Sequence, residues 1–310
     1  MYRILEYDNG FVYEYEKFLF NRKEFLDQYG KPVTSFYLIN TRDQKVSGEI
    51  HFVTDEGVAV SPYRASFGSF QLASRLKAEI VSFFIEEAEE KLKKENIRSV
   101  RIRSYPFSYD YPSASLLSSL LIQHGYSVTV CDTNFHITVS DHTTFYNALR
   151  QSEKSRLNAA VNKGMNVALN LNPDLTEVYD LMLKCRQDKG YPFRISLQDF
   201  QKMFALLPDF YNVFEVRYQG QLIAAAVTVK INQEILYNFH LGQLPEFRKY
   251  SPAVLLLKEI YSFAKRYKFN QLDLGIGTDS GIYNFPLVNF KQNMGGIPSL
   301  KPLFEKQIHG

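Results

Sequence analysis

Tryptophan is absent from this 310-residue chain, and cysteine occurs only twice, at Cys131 and Cys185. Two cysteines that far apart, with no CxxC pair, exclude a disulfide framework and a thiolate zinc site, and each reads as a small buried hydrophobe. The six histidines show no HExxH spacing, which leaves no metal motif. No apolar run approaches the ~20 residues that a membrane-spanning helix needs. The longest clean run is "LIAAAVTV" at 222–229. The start, "MYRILEYDNG", lacks the charged-then-apolar layout of a secretory signal, so a cytoplasmic protein is expected.

What is present is ordinary globular composition, 45% hydrophobic and 22% charged, over a length that suggests two domains. Phenylalanine (25) and tyrosine (21) are plentiful and must fill most of the cores. Tyrosine's polar tip also suits contact with a sugar, peptide or base.

Alternation of apolar and polar residues marks strands at 33–40, 45–54 and 57–61. A loop, "SPYRASFGSF", follows, and then Leu76, Ile80, Phe84, Ala88 and Leu92 form an apolar stripe on a helix. "SVRIRSY" reads as a strand, "SASLLSSLLIQHG" as a helix stopped by Gly125, and "YSVTVCDTNFHITV" as one or two strands. The same order returns later. "YNVFEVRYQ", "QLIAAAVTVKI" and "EILYNFHLG" are three strands separated by turn signals at Gly220 and Asn232. A helix follows with Ser251 as its expected N-cap and Pro252 in its first turn. "QLDLG" is a strand, and "YNFPLVNFKQNMGG" leads to a last element. Two helices, 174–188 and 197–207, precede the second set.

Strands, loop, long helix, strand, helix, strand therefore occurs twice, and a tandem α/β (α+β) protein is expected, with domains at 1–143 and 144–310. The first carries a net charge of −3 and the second +6. Either the basic half attracts a phosphate-rich donor or the asymmetry is solvated surface.

This order, together with "SPYRASFGSF", "YNFHLG" followed by "SPAVLLLKEI", "DLGIGT" and "NFKQNMGG", resembles the GNAT superfamily and its Fem-like (FemAB-type, BioF2-like) branch. The resemblance implies two GNAT-like domains, each a mixed central sheet flanked by helices, the first on the acceptor side and the second on the donor side. It implies N-acyl transfer: an acyl or aminoacyl group passes to an amine of a peptide or cell-envelope precursor. The donor would be aminoacyl-tRNA or acyl-CoA, with no tightly bound cofactor and no metal.

Attack of an amine on an ester or thioester passes through a tetrahedral oxyanion, which needs a cation or donor aimed at it, and the amine must lose a proton. The resemblance assigns Lys291 the first task, with Phe290 packed beside the acyl end. Met294 stands where Fem-like chains often carry another aromatic. Asp273, ending a strand, either takes the amine proton or caps the turn after it. Tyr237 and His240 are an odd number of residues apart and are expected on opposite faces of one strand, so only one meets a ligand. Either residue could instead line the core, and His240 is preferred at the site for a pKa near neutrality. In "LRQSEKSRLNAAVNKG", Arg156 and Lys163 share a helical face, with Arg150 and Lys154 paired beside it. That face binds the phosphates of tRNA or of a nucleotide-linked acceptor, or it is a solvated surface.

The loop at 61–70 departs from a GNAT pyrophosphate loop. Arg64 precedes Gly68 by four residues rather than three, and Phe70 stands where a second small residue belongs. The counterpart, "QLPEFRKYSPAV", has Arg248 and Lys249 but no glycine. An aminoacyl donor is accordingly preferred to acyl-CoA. Tyr63, Arg64 and the backbone at Gly68 and Ser69 are expected to hold one carboxylate or phosphate of the acceptor, or, if Arg64 is buried in an ion pair, the loop is only a turn. The alternatives are a CoA-dependent N-acetyltransferase and a non-catalytic polyanion-binding module.

Overall fold

A computed structural model describes residues 1–308. In chain order the elements of the first half are β1 (Tyr2–Leu5), β2 (Val12–Tyr13), α1 (Lys23–Leu26), β3 (Val33–Asn40), β4 (Lys45–Asp55), β5 (Val58–Ser61), β6 (Gln71–Leu72), α2 (Ala78–Lys94), β7 (Ser99–Arg103), α3 (Tyr111–Gln123) and β8 (Ser127–Thr138). They continue as α4 (Phe145–Ala148), α5 (Gln151–Val161), β9 (Asn166–Asn170), α6 (Leu175–Gln187), α7 (Leu197–Leu206), β10 (Tyr211–Tyr218), β11 (Gln221–Lys230) and β12 (Ile235–Gln243). The chain ends with α8 (Pro252–Arg266), β13 (Gln271–Ile276), β14 (Thr278–Asp279), β15 (Ile282–Tyr283), α9 (Phe285–Asn293) and β16 (Ile297–Gln307). The stretch 126–139 is one strand, β8. No helix among the described residues is long and apolar enough to cross a membrane.

The chain divides into two compact units, but not at a single cut near 143. The first holds Met1–Asn134, Thr278–Tyr283 and the chain from Ser299; the second holds Phe135–Gly277 and Asn284–Pro298. The linear division at 143/144 missed this because β16, last in sequence, pairs antiparallel with β7, matching Leu303 to Arg103 and Gln307 to Ser99. That pairing buries Leu303 and Phe304. Burying such side chains stabilises by about 1.5–3 kcal/mol each, and no local pattern announces the partner.

In the first unit the strand order is β1-β3-β4-β5-β7-β16-β8. The pairs from β1 to β5 are antiparallel, and β5 lies parallel to β7. The helix α2 covers this sheet with Val81, Phe84, Ile85, Ala88 and Leu92, while Ile80 is only half-buried and Leu76 precedes the helix. A strict four-residue stripe drifts by about 40° per step on a helix of 3.6 residues per turn, so the buried face follows mixed three- and four-residue steps instead.

In the second unit the order is β8-β13-β12-β11-β10-β9. Here α8 buries Val254, Leu255, Leu257, Ile260 and Ala264 in a core shared with Phe214, Ala224, Ala226, Leu236, Leu272 and Leu274. Pro252 opens α8 as expected, but Ser251 does not cap it. Ser251 is left-handed (φ 54°) after a 3-10 turn at 245–250 and gives no side-chain cap; Gln243 Oε1 accepts from the Ala253 N–H at 3.2 Å instead.

Candidate active site

The second unit offers a place where two parallel strands part. β12 and β13 pair only at Ile235/Gln271, Leu236/Leu272 and Tyr237/Asp273, and each runs on beyond that point without the other. Backbone groups past the last pair need other partners.

Lys291 supplies one. It lies on α9, is 6% exposed, and its ammonium donates to the carbonyls of Leu274 and Ile276, both at 2.6 Å. Lys291 is therefore a buried, paired lysine and not a surface one. The glycines after it have a steric reason. A Cβ on Gly295 (φ 84°) would lie 2.7 Å from the Ala148 Cβ, and one on Gly296 would lie 2.6 Å from the Lys291 carbonyl oxygen. Met294, just before them, is fully buried in the core, and Phe290 packs half-buried against the same core.

Asp273 is buried, and its Oδ1 accepts the Gly275 N–H at 2.6 Å, so it does form the turn-capping bond. Gly275 is left-handed (φ 76°); a Cβ there would meet the Tyr237 ring at 3.3 Å and the Lys291 ammonium at 3.7 Å. Tyr237, Asp273 and Lys291 thus converge on the Gly275 turn.

Tyr237 and His240 share a face, contrary to the odd-spacing expectation. The β11/β12 register shifts between Val227 and Thr228, so that Asn238 opposes Thr228 and His240 opposes Val227. Phe239 is the extra residue of a bulge, which reverses the alternation. Leu236 and Leu241, also an odd number apart, accordingly both reach the α8 side, while Gly242 faces Leu181, Met182 and Cys185 of α6.

His240 does not titrate near neutrality. Burial, then the positive charge of Arg186, pushes its pKa down to about 3, and its Nε2 has no hydrogen-bond partner among the described residues. Its ring packs against Phe193 and Phe239. Sequence reasoning missed a second histidine. His136 of β8 lies near Asp273, whose charge opposes the burial that lowers the His136 pKa. A lone polar residue between Phe135 and Ile137 in a buried strand was the available signal.

The basic helix is shorter than expected. α5 ends at Val161, so Lys163 lies beyond it and Arg150 serves as its N-cap residue; no Arg156/Lys163 helical face forms. Arg156 instead bonds Glu153 at 2.8 Å, and Lys163 lies over the Tyr250 ring at 5.2 Å. Three other cations lie close to one another, of which the sequence reading had named only Arg248. Lys189 has its pKa lowered by burial and then by Arg248 and Arg186, and none of the three makes an ion pair among the described residues.

In the first unit, Arg64 is exposed and left-handed (φ 51°), and its guanidinium lies over the rings of Tyr29 (5.9 Å) and Tyr63 (5.6 Å). It is not buried in an ion pair. The backbone donors assigned to a ligand are already used: Gly68 N–H bonds the Arg103 carbonyl at 3.0 Å and Ser69 N–H bonds Ser61 Oγ at 3.1 Å. A Cβ on Gly68 would lie 2.5 Å from Ser61 Oγ and 2.8 Å from the Pro62 nitrogen, so this glycine permits close packing of the loop. Phe70 is buried against Phe84. No group of three or more His, Cys, Asp or Glu among the described residues could hold a metal.

Residues 148–291 match the family described as Acetyltransferase (GNAT) domain. Among solved structures, the chain is similar to FemX at 12% identity and TM-score 0.72, covering 95% of this chain and 94% of that one. It is also similar to a tandem GNAT protein from the clavulanic acid biosynthesis pathway (11%, TM-score 0.55, 90% and 84% covered). A third is the C-terminal domain of a putative lysylphosphatidylglycerol synthetase from Agrobacterium fabrum (10%, TM-score 0.57, 87% and 84% covered). No curated protein matches the chain.

Proposed function

The chain is a tandem GNAT-fold protein of Fem-like architecture, and from that premise we propose an N-acyltransferase that moves an aminoacyl group from an ester donor to an amine of a peptide or cell-envelope precursor. One observation carries the reading: the Lys291 ammonium is held by two backbone carbonyls where β12 and β13 part, with Tyr237 and Asp273 at the same turn.

In this mechanism the amine attacks the donor carbonyl, forming a C–N bond and an oxyanion. Collapse breaks the C–O bond of the ester, and the amine's proton leaves through Asp273 or the departing oxygen. A buried ammonium fixed by carbonyls spends no reorganisation energy when charge develops on the oxyanion. Its convergence with Asp273 supports catalysis over a polyanion-binding role. Arg186, Lys189 and Arg248 give the donor's phosphates a cationic approach in the same unit. Arg64 and Tyr63 are the first unit's remaining contacts for an acceptor anion.

The donor choice rests on the N-terminus of α8. Pyrophosphate at a helix N-terminus is held by unpaired N–H groups. Here Pro252 has none, Ala253 bonds Gln243, and Val254 bonds the Ser251 carbonyl at 3.0 Å. An aminoacyl ester suits this end better than acyl-CoA. Transfer of labelled amino acid from a mixed aminoacyl-tRNA pool to an amine-bearing peptide tests the proposal, beside a calorimetric titration with coenzyme A. Label transfer without CoA binding is expected; micromolar CoA binding with acetyl transfer would move the assignment to a CoA-dependent N-acetyltransferase.

A further inference from the structure

A groove of about 400 Å³ lies in the second unit between α5 and α8, closed at one end by α4. It shares no residue with the set around Lys291. On α8 the lining residues 258, 261, 262 and 265 fall at helical spacing along one face, so the groove follows the helix rather than being an isolated dimple.

Its chemistry is lopsided. Tyr146 and Val161 give the exposed apolar wall over the buried Phe145, Leu157 and Tyr261, and the Tyr261 hydroxyl is already bonded to Thr143 Oγ1 at 2.9 Å. Val161 is 51% exposed, so apolar surface here still faces solvent. The charged lining residues are Lys258 and Lys265, with no Asp or Glu. Lys265 is held at the groove's end by the carbonyls of Asp141 and Thr143 at 3.0 and 3.1 Å. Outside the lining, the Lys154 ammonium lies 5.1 Å from the ring centre of Tyr146. Ligand pockets of roughly 300–1,000 Å³ pair an apolar wall with a few placed polar groups, and this groove falls in that range.

We propose that this groove binds one anionic amphiphile of the fatty-acid class, its apolar chain along Tyr146 and Val161 and its carboxylate between Lys258 and Lys265. The one-sign charge selects an anion, and the apolar wall selects a chain. The groove runs between two helices, so it takes a single molecule rather than a membrane face.

Calorimetric titration with decanoate, decanol and decyltrimethylammonium, all below their micelle concentrations, tests this without reference to acyl transfer. Decanoate is expected to bind saturably, one per chain, with the other two at least tenfold weaker. Lys258→Glu and Val161→Glu, both at exposed positions, weaken decanoate at least tenfold with an unchanged circular dichroism spectrum, and Val161→Leu preserves binding. The proposal fails if decanoate gives no saturable heat, if the cationic amphiphile binds equally, or if neither Glu variant matters. Two further results would replace the occupant: sedimentation with phosphatidylglycerol vesicles in the absence of decanoate binding, or self-association that Val161→Glu abolishes.

Discussion

The ammonium of Lys291 lies 2.6 Å from the carbonyl oxygen of Leu274, seventeen residues earlier in the chain and just past the last β12/β13 pair. A helix from the end of the sequence thereby supplies the donor that a parting strand lacks.

Replacing Lys291 separates its structural from its catalytic part. Lys291→Met leaves two carbonyls without this donor and is expected to cost about 1–3 kcal/mol of stability. Transfer should fall by about 100-fold or more, as when an oxyanion donor is removed. Lys291→Arg should not restore it, because a planar guanidinium cannot take the place of a compact ammonium. Denaturant melts, with rates measured under fully folded conditions, separate the two effects; full activity in Lys291→Met would remove the residue from the mechanism.

Asp273 is predicted to behave differently in its two simplest variants. Asp273→Asn keeps an oxygen to accept the Gly275 N–H and should remain close to wild-type in stability. Asp273→Ala loses that bond and should cost about 1–3 kcal/mol. If the carboxylate takes the amine's proton, both lose turnover to a similar degree. If only the turn matters, Asp273→Asn is active, and steady-state kinetics distinguishes these cases.

Gly68→Ala tests whether the loop at 61–70 is held by packing. The added Cβ would approach the Pro62 nitrogen to 2.8 Å and Ser61 Oγ to 2.5 Å, and the first of these is backbone that cannot swing away. A loss of about 1–3 kcal/mol is expected in a urea melt. Arg64→Ala, at an exposed position, should leave the melt unchanged and raise KM for the acceptor.

The pH dependence of stability follows from His240. Its folded pKa is depressed to about 3, chiefly by burial, against about 6.5 in the unfolded chain. Below pH ~6.5 the unfolded state therefore takes up the proton first. The stabilising effect is present above that pH and is lost progressively as pH falls toward 3. Urea midpoints between pH 7 and 4 should fall less steeply in His240→Phe than in wild-type. His136 shifts in the same direction, so its contribution carries the same sign.

The repeated order of elements and the boundaries of β3 were legible in the linear chain, because alternation and helical spacing are local signals. The stripe on α2 was legible as a face but not residue by residue, since four-residue spacing only approximates the helix. The odd spacing of Tyr237 and His240 misled for a different reason: a bulge at Phe239 reverses alternation, and nothing in "YNFHLG" announces it. Arg156 and Lys163 were assigned to one face because a basic run looks helical beyond the point where α5 ends.

By itself, the sequence determined the class of elements, their doubled order, and the absence of a glycine-rich anion loop before α8. Tertiary structure alone decided that β16 joins the first unit, that Lys291 is buried against two carbonyls, and that the Gly68 and Ser69 N–H groups are already bonded. The physical reason is range. Propensity and periodicity act over a few residues, whereas which strand completes a sheet and which donor satisfies a distant carbonyl are settled by burial between segments far apart in the chain.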